Sequence, residues 1–286
     1  MPARTPGGDS SARDEHALDE HLLEPRSLRD PAATLLGLDF DGTLSHVVAD
    51  PAHAFAHPDS VHAMADLGRH LGGVAIITGR PVRQALELGG FEGLPGLERL
   101  VICGQYGAER WDATTGQVRE PARPAAIESL AAELPAWLQE RGAGSARIED
   151  KGVALAVHTR GLGPALLHAL EAPLRRLAEE HGLEVEPGRQ VMELRGHGAD
   201  KGSALLELVA ELGPRHVVYA GDDLGDLPAF NAVEQLRSRG ISGQLVCSAS
   251  EEQDALVARS DLVLDGPDAV AAWLTAWAAA LDAQAR

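Results

Sequence analysis

The chain alternates short apolar segments with amphipathic helical patterns, and this alternation limits the folds that it can adopt. Apolar segments begin at Thr34, Val74 and Arg99, and helical patterns over residues 60–72 and 81–90 separate them. Short strands that are apolar on both faces are typical of a buried parallel sheet, in which each connecting helix crosses over the sheet. The sequence therefore predicts an α/β fold with a doubly wound parallel sheet.

The middle of the chain interrupts this alternation and predicts an inserted α+β cap domain. Its predicted elements, in order, are a helix at about 122–141, a hairpin within 146–160, a helix within 163–182 and a hairpin within 183–195. The first hairpin is predicted to turn at 150–152 and the second at Pro187–Gly188. Because antiparallel hairpins and helices form α+β units, we predict a cap at 112–195 between core segments 31–111 and 196–286.

Composition and charge exclude several classes of protein. The formal net charge of −18 argues against nucleic acid or an anionic membrane surface as a partner, since both require clustered Lys and Arg. No segment reaches the about 18 consecutive apolar residues of a membrane-spanning helix, and no apolar signal-peptide region is present at residues 1–30. Cys103 and Cys247 are predicted to be buried free thiols, so a cytoplasmic location is expected.

The first 30 residues form a segment of their own in the sequence. They are charged and contain Pro, Gly and Ser, a composition typical of a disordered tail, with a short helix expected around His16 to Leu23. The sequence leaves the oligomeric state open, with a monomer as the expectation.

Acidic and polar residues follow several of the predicted strands. Asp39 and Asp41 follow the first strand, and desolvation and mutual repulsion make such a pair costly unless a cation or a reaction offsets the cost. The other groups at strand and helix ends are Thr78–Gly79–Arg80, Asp200–Lys201–Gly202 and Gly221–Asp222–Asp223 with Asp226. Asp223 and Asp226 have an alternative interpretation, as the N-cap and the first-turn acid of the next helix. Since Mg²⁺ binds carboxylates, and Lys and Thr bind phosphate oxygens, this edge of the sheet predicts Mg²⁺-dependent phosphoryl chemistry.

The chain resembles the haloacid dehalogenase-like phosphohydrolases over about residues 33–283. The resemblance is carried by four motifs in the family's order: DFDGT at 39–43, ITGR at 77–80, DKG at 200–202 and GDDLGD at 221–226. Each motif alone is a weak signal, but all four occur in order and each lies at a predicted strand or helix end. The resemblance therefore implies the doubly wound core and cap of that family.

The same resemblance implies a role for each motif residue. Asp39 would be the nucleophile that forms an aspartyl-phosphate, and Asp41 the acid/base that protonates the leaving alcohol and then activates water. Thr78 and Lys201 would hold the phosphoryl oxygens. Mg²⁺ would be bound by Asp39, the main-chain carbonyl of Asp41 and Asp222. These roles agree with physical expectation, because a carboxylate on Mg²⁺ stays ionised while an acid/base must carry a proton.

Within that superfamily, the chain is similar to the trehalose-6-phosphate phosphatases. The similar stretches are GQYGAERW at 104–111, EDKGVALAVHTR at 149–160, VMELRGHGADKG at 191–202 and GDDLGDLPAF at 221–230. The chain departs from that family's pattern at Gln105, Tyr106, Thr159, Leu227 and Pro228. The similarity implies hydrolysis of trehalose 6-phosphate. The departures keep three alternatives open: a phosphatase of sucrose or glucosylglycerol phosphate, a phosphomutase, and a non-catalytic sugar-phosphate sensor.

A neutral disaccharide needs several directional hydrogen bonds from side chains that face the cleft. The candidate substrate-binding residues are Gly79, Arg80, Tyr106, Glu109, Lys151, His158, Arg160 and Glu193. Lys151 lies in the predicted turn, while His158 and Arg160 share one face of a strand. The alternative for the residues of the cap is the solvated face of an open antiparallel sheet.

Overall fold

The fold is described from a computed structural model. The residues that it describes are 25–159, 164–188, 190–196, 200–249 and 254–286. The expected helix around His16 to Leu23 and the candidate residue Arg160 lie outside these described residues. Among the described residues, none of the helices combines the length and the apolar character needed to span a membrane.

Strands and helices alternate along both ends of the chain. The strands are β1 Thr34–Leu38, β2 Gly73–Ile77, β3 Val101–Gly104, β4 Glu109–Asp112, β5 Gln117–Arg119, β6 Arg147–Asp150, β7 Ala154–His158, β8 Leu183–Gly188, β9 Val191–Gly196, β10 His216–Gly221, β11 Ser242–Ser248 and β12 Leu262–Leu264. The helices are α1 Pro25–Arg29, α2 Pro58–Gly68, α3 Val82–Gly89, α4 Ala125–Glu140, α5 Pro164–Glu180, α6 Lys201–Leu212, α7 Leu227–Ser238, α8 Asp254–Val257 and α9 Gly266–Gln284.

The large sheet confirms the predicted doubly wound architecture. Its strand order within the described residues is β12-β11-β10-β1-β2-β3-β4-β5, and pairing is parallel from β12 to β3. Separate apolar cores cover its two faces, one built around α2 and α9 and the other around α6 and α7. Since β1 lies between β10 and β2, the residues that follow these three strands meet at one edge of the sheet.

The small sheet belongs to the predicted insert and has one apolar and one polar face. Its order is β6-β7-β9-β8 with antiparallel pairing throughout. The apolar face, which includes Leu155 and Leu194, packs against α4 and α5 in a core of its own. Residues paired across neighbouring strands share a face, so the register places Glu149, His158 and Glu193 together on the opposite, polar face. We use the name cap for this sheet with α4 and α5.

Three boundaries differ from the sequence predictions. The predicted cap begins at residue 112, but β5 pairs with β4 in the large sheet, and only its short and largely exposed length hid this from the sequence. The second hairpin turns after Gly188, which pairs with Val191, rather than at Pro187–Gly188. The predicted tail extends to residue 30, whereas α1 is helical and Leu28 packs against the core.

Candidate active site

Three buried carboxylates meet at the centre of the large sheet. Asp39 follows β1, Asp222 follows the neighbouring β10, and Asp226 ends the short turn after β10. One oxygen from each lies within 4.8 Å of the other two. All three side chains are buried, as the carboxyl ends of adjacent parallel strands require. The strand-end prediction thus brings Asp39 and Asp222 together, and Asp226 joins them.

This cluster has the electrostatics of a cation site. Burial raises the pKa of Asp39 to about 8, although nearby Lys201 opposes the shift. Burial, followed by repulsion from Asp39, also raises the pKa of Asp222 well above its usual value. Asp222 Oδ1 is buried and has no hydrogen-bond partner among the described residues. Oxygen ligands that repel each other and lack a donor fit a hard divalent cation, which would supply the missing positive charge.

Asp226 has a different environment from the other two acids. Its Oδ1 accepts from Lys201 Nζ at 2.7 Å and from the Tyr219 hydroxyl at 2.6 Å. Its Oδ2 accepts from the backbone N–H groups of the two residues after β10, at 3.0 and 3.2 Å. Four donors fill the lone pairs of one carboxylate. Asp226 therefore holds Lys201 and the turn in place, and Asp39 and Asp222 remain the oxygen donors open to a cation.

Lys201 carries the positive charge of the site. Its Nζ lies 2.8 Å from Asp39 Oδ1, and burial opposes its charge, but the carboxylates of Asp226 and Asp39 outweigh burial and raise its pKa well above the usual value. Asp200 caps α6 through a reciprocal pair of hydrogen bonds with Ser203, which fixes Lys201 as the first helical residue. The lysine is thus a permanent cation beside Asp39.

Glycine at position 42 allows the two acidic loops to approach. Gly42 has φ +77°, and a Cβ at this position would lie 2.0 Å from Asp222 Oδ2. A larger residue would therefore separate the loop after β1 from the loop after β10. This contact explains in physical terms why the first motif contains a glycine.

Asp41 lies apart from the acidic cluster and is held by Arg80. Arg80 Nε donates to Asp41 Oδ2 and Nη2 donates to Oδ1, both at 2.6 Å. Arg80 Nη1 also donates to the Pro51 carbonyl at 2.9 Å, and the Arg80 backbone N–H donates to Thr78 Oγ1 at 3.1 Å. Arg80 was predicted to bind substrate, but its guanidinium is buried and occupied by Asp41 and Pro51.

The remaining candidate residues lie where the cap meets the core. Lys151 Nζ lies 2.5 Å from Glu193 Oε2 and 3.4 Å from the Gly79 carbonyl. The Arg195 guanidinium lies 4.6 Å from the ring centroid of Tyr106. Polar cap residues and the loops of the core therefore face each other, as a substrate-covering cap requires.

Gln105 links the two parts of the molecule and was not among the predicted site residues. Its Nε2 donates to Glu109 Oε1 and, at 2.6 Å, to the Lys151 carbonyl, while Glu109 Oε2 accepts from Val82 N. Gln105 and Tyr106 both have positive φ, 48° and 60°. The available sequence signal was their position between two glycines at the end of a strand, Gly-Gln-Tyr-Gly.

A cleft of about 150 Å³ lies at this junction. Its lining residues are Gln105, Ala108, Pro121, Pro124, Val153, Ala154, Glu193, Arg195 and Gly196. Gln105 Oε1 and Glu193 Oε1 are buried and have no hydrogen-bond partner among the described residues. Two unpaired acceptors in an otherwise largely apolar cleft suit a ligand that carries hydroxyl groups.

His158 is engaged within the cap. Its Nε2 lies 2.7 Å from Glu149 Oε2 on the neighbouring strand, and this hydrogen bond lowers the pKa of Glu149. Since Glu149 and Glu193 lie opposite successive strands of the same face, His158 borders the predicted sugar site without a described contact to Lys151.

Comparison with solved structures gives the class of protein. The fold is that of the haloacid dehalogenase-like hydrolases: one from Bacteroides thetaiotaomicron superposes with a TM-score of 0.56 and 16% identity over 84% of this chain and 98% of that chain. The C-terminal domain of the Candida albicans trehalose-6-phosphate phosphatase superposes with a TM-score of 0.71 and 20% identity over 89% of this chain and 94% of that one.

Sequence comparison gives the family. The model of the trehalose-phosphatase family matches residues 37–262, and the chain belongs to that family. A trehalose-phosphate phosphatase of Mycobacterium tuberculosis is 31% identical over 202 residues, and an uncharacterized glycosyl hydrolase of the same organism is 37% identical over 209. Each alignment covers 68% of this chain, but only 50% of the first relative and 15% of the second. The chain thus spans half or less of the length of these relatives.

Proposed function

We propose that this chain hydrolyses trehalose 6-phosphate to trehalose and phosphate in a Mg²⁺-dependent reaction through an aspartyl-phosphate. The observation that carries the proposal is the buried pair Asp39 and Asp222, with Lys201 Nζ 2.8 Å from Asp39 Oδ1. A nucleophilic carboxylate, a second oxygen ligand and a fixed cation are the parts that phosphoryl transfer needs. Membership of the trehalose-phosphatase family supports the choice of substrate.

The proposed reaction has two steps. In the first, an oxygen of Asp39 attacks phosphorus, the bond from phosphorus to the sugar oxygen breaks, and the proton on Asp41 passes to that oxygen. In the second, Asp41 takes a proton from water, the water oxygen attacks phosphorus, and the bond to Asp39 breaks. Phosphate leaves, and Asp39 returns to a carboxylate and Asp41 to its protonated form.

The groups around Asp39 would bind the phosphoryl oxygens. Lys201 would pair with one oxygen, and the Thr78 hydroxyl, which follows the adjacent β2, would donate to another. Mg²⁺ would be held by Asp39, Asp222 and the main-chain carbonyl of Asp41, and would neutralise charge that develops on the phosphoryl group. These positive groups matter because the net charge of the chain, −18, repels an anionic substrate.

The sugar would be read by the junction of cap and core. Tyr106, Lys151 and Glu193 are proposed to contact the sugar, with His158 and Arg160 extending the site along the cap sheet. The unpaired Glu193 Oε1 would accept from a sugar hydroxyl. Glu109 would act by orienting Gln105, and the Gly79 carbonyl would help to place Lys151.

The direct test is phosphate release from a panel of sugar phosphates, with and without Mg²⁺, by the wild-type chain and by Asp39→Asn. We expect Asp39→Asn to remove turnover while the chain stays folded, because Lys201 keeps its pair with Asp226 and a source of repulsion is lost. Asp66→Asn, a surface acid paired with Arg69, is the matched control. Activity of Asp39→Asn within about tenfold of wild type would contradict the nucleophile assignment. Faster hydrolysis of sucrose or glucosylglycerol phosphate would reassign the substrate.

A further inference from the structure

We infer that Arg80 is the positioning residue for Asp41: its guanidinium fixes the carboxylate that exchanges protons with the leaving alcohol and with water. This inference rests on the proposed function and adds to it a residue whose predicted role, substrate binding, was different. The observation behind it is the two-point contact between Arg80 and Asp41, two residues that are 39 positions apart in the sequence.

The contact has the geometry of a rigid clamp. Nε and Nη2 of Arg80 each lie 2.6 Å from a different oxygen of Asp41, so the planar fork sets both the position and the plane of the carboxylate. The guanidinium is itself fixed, because Nη1 donates to the Pro51 carbonyl and the Phe40 ring lies 5.4 Å from its central carbon. The Arg80 side chain is 7% exposed and that of Asp41 is 41% exposed. The clamp is therefore buried, while the carboxylate that it holds remains accessible.

The clamp leaves Asp41 able to act on a proton. Each carboxylate oxygen has two lone-pair directions, and Arg80 uses one on each oxygen. The second direction on either oxygen stays available for a leaving alcohol or a water. The clamp also keeps the carboxylate out of the cluster of Asp39, Asp222 and Asp226, of which Asp41 is not a member. A carboxylate free to rotate into that cluster would become one more cation ligand and would be lost as an acid/base.

This role separates two substrates that differ only in their leaving groups. A sugar alkoxide needs a proton as it leaves, whereas 4-nitrophenolate leaves without one. The experiment is a single turnover with enzyme in excess, in which the rate constant for release of the leaving group is measured for a sugar phosphate and for 4-nitrophenyl phosphate. Such rate constants do not depend on the fraction of active protein, so a partly unfolded variant still gives a valid ratio between the two substrates.

The variants are Arg80→Lys, which keeps the charge but loses the fork, and Arg80→Ala, with Arg83→Ala as the matched control on the same helix. Arg83 is exposed and pairs with Glu120 at the surface. We expect Arg80→Ala to slow sugar release by about a hundredfold, Arg80→Lys by about tenfold, and nitrophenol release by less than about threefold. Guanidinium ion, added to Arg80→Ala at a concentration that leaves wild type unchanged, should restore part of the sugar rate, whereas ammonium should not.

Three outcomes would overturn the inference. Equal slowing of both substrates would make Arg80 a structural residue, and a raised KM for the sugar phosphate with unchanged kcat would make it a substrate-binding residue. Wild-type rates for both substrates in Arg80→Ala would leave the clamp without a role. The proposed function fails separately, if wild type releases phosphate from neither substrate. If wild type rejects trehalose 6-phosphate but accepts another alkyl phosphate, the comparison is made with that ester.

Discussion

At the scale of single residues, the site is organised by side chains that hold other side chains. Arg80 holds Asp41, and Asp226 holds Lys201 through a carboxylate that accepts four hydrogen bonds. Tyr219 completes the second arrangement from β10, where its ring fills the space above Gly37, at which a Cβ would lie 2.9 Å from the ring. A small residue in β1 therefore makes room for a donor that keeps the catalytic lysine in place.

Tyr219→Phe tests this arrangement at a single atom. The ring is kept and the hydroxyl that donates to Asp226 is lost, so we expect a loss of about 1–3 kcal/mol in the free energy of unfolding, as for a buried hydrogen bond to a charged group. Urea unfolding measures it, with Thr275→Val as the control for losing a hydroxyl that bonds only within α9. Stability equal to wild type would mean that the phenol does not support the carboxylate.

At the scale of elements, the cap sheet uses its two faces for different purposes. Alternation along β7 and β9 sends Leu155 and Leu194 into the core of the cap, and sends Glu193 and His158 to the face that meets the large sheet. The apolar face stabilises the cap by burial, and the polar face stays available for a polar ligand. A shift of register by one residue would exchange these faces, so the hairpin turns matter for function.

The pair of Glu149 and His158 makes the cap sensitive to acid. The hydrogen bond with His158 lowers the pKa of Glu149 below its usual value, 4.5, so the pair contributes stability above that pH. The contribution is lost as the pH falls through the lowered pKa. Glu149→Gln should reduce stability at pH 7 by up to about 1 kcal/mol, and this difference should shrink toward pH 3. Urea unfolding across this range checks it, and a difference independent of pH would contradict the role of this carboxylate.

At the scale of the whole molecule, cap and core meet through a few polar contacts. Lys151 is central among them, since its Nζ reaches Glu193 in the cap and the Gly79 carbonyl in the core, and its carbonyl accepts from Gln105. Phosphate and Mg²⁺ would be bound by the core alone. Selectivity among phosphate esters should therefore depend on this junction, whereas the chemical step should not.

Lys151→Ala separates recognition from chemistry. We expect kcat/KM for trehalose 6-phosphate to fall by an amount equivalent to about 1–3 kcal/mol, because a charged donor is lost and Glu193 is left buried without its partner. Hydrolysis of 4-nitrophenyl phosphate, which is too small to reach the cap, should change little. Arg147→Ala, on an exposed position of β6, is the matched control. An equal loss on both substrates would show that Lys151 supports the fold, and no loss on either would show that the sugar is read elsewhere.

The sequence by itself determined the doubly wound sheet and the meeting of Asp39 with Asp222. Both follow from local patterns, because short apolar strands with crossover helices allow few topologies and strand ends of a parallel sheet share one edge. The partners of the side chains were decided by tertiary structure alone. Nothing in the motifs indicated that Arg80 would turn to Asp41, that Asp226 would be filled by Tyr219 and Lys201, or that β5 would join the large sheet. Such contacts join residues far apart in the chain and depend on rotamers and burial, which are set only when the elements pack together.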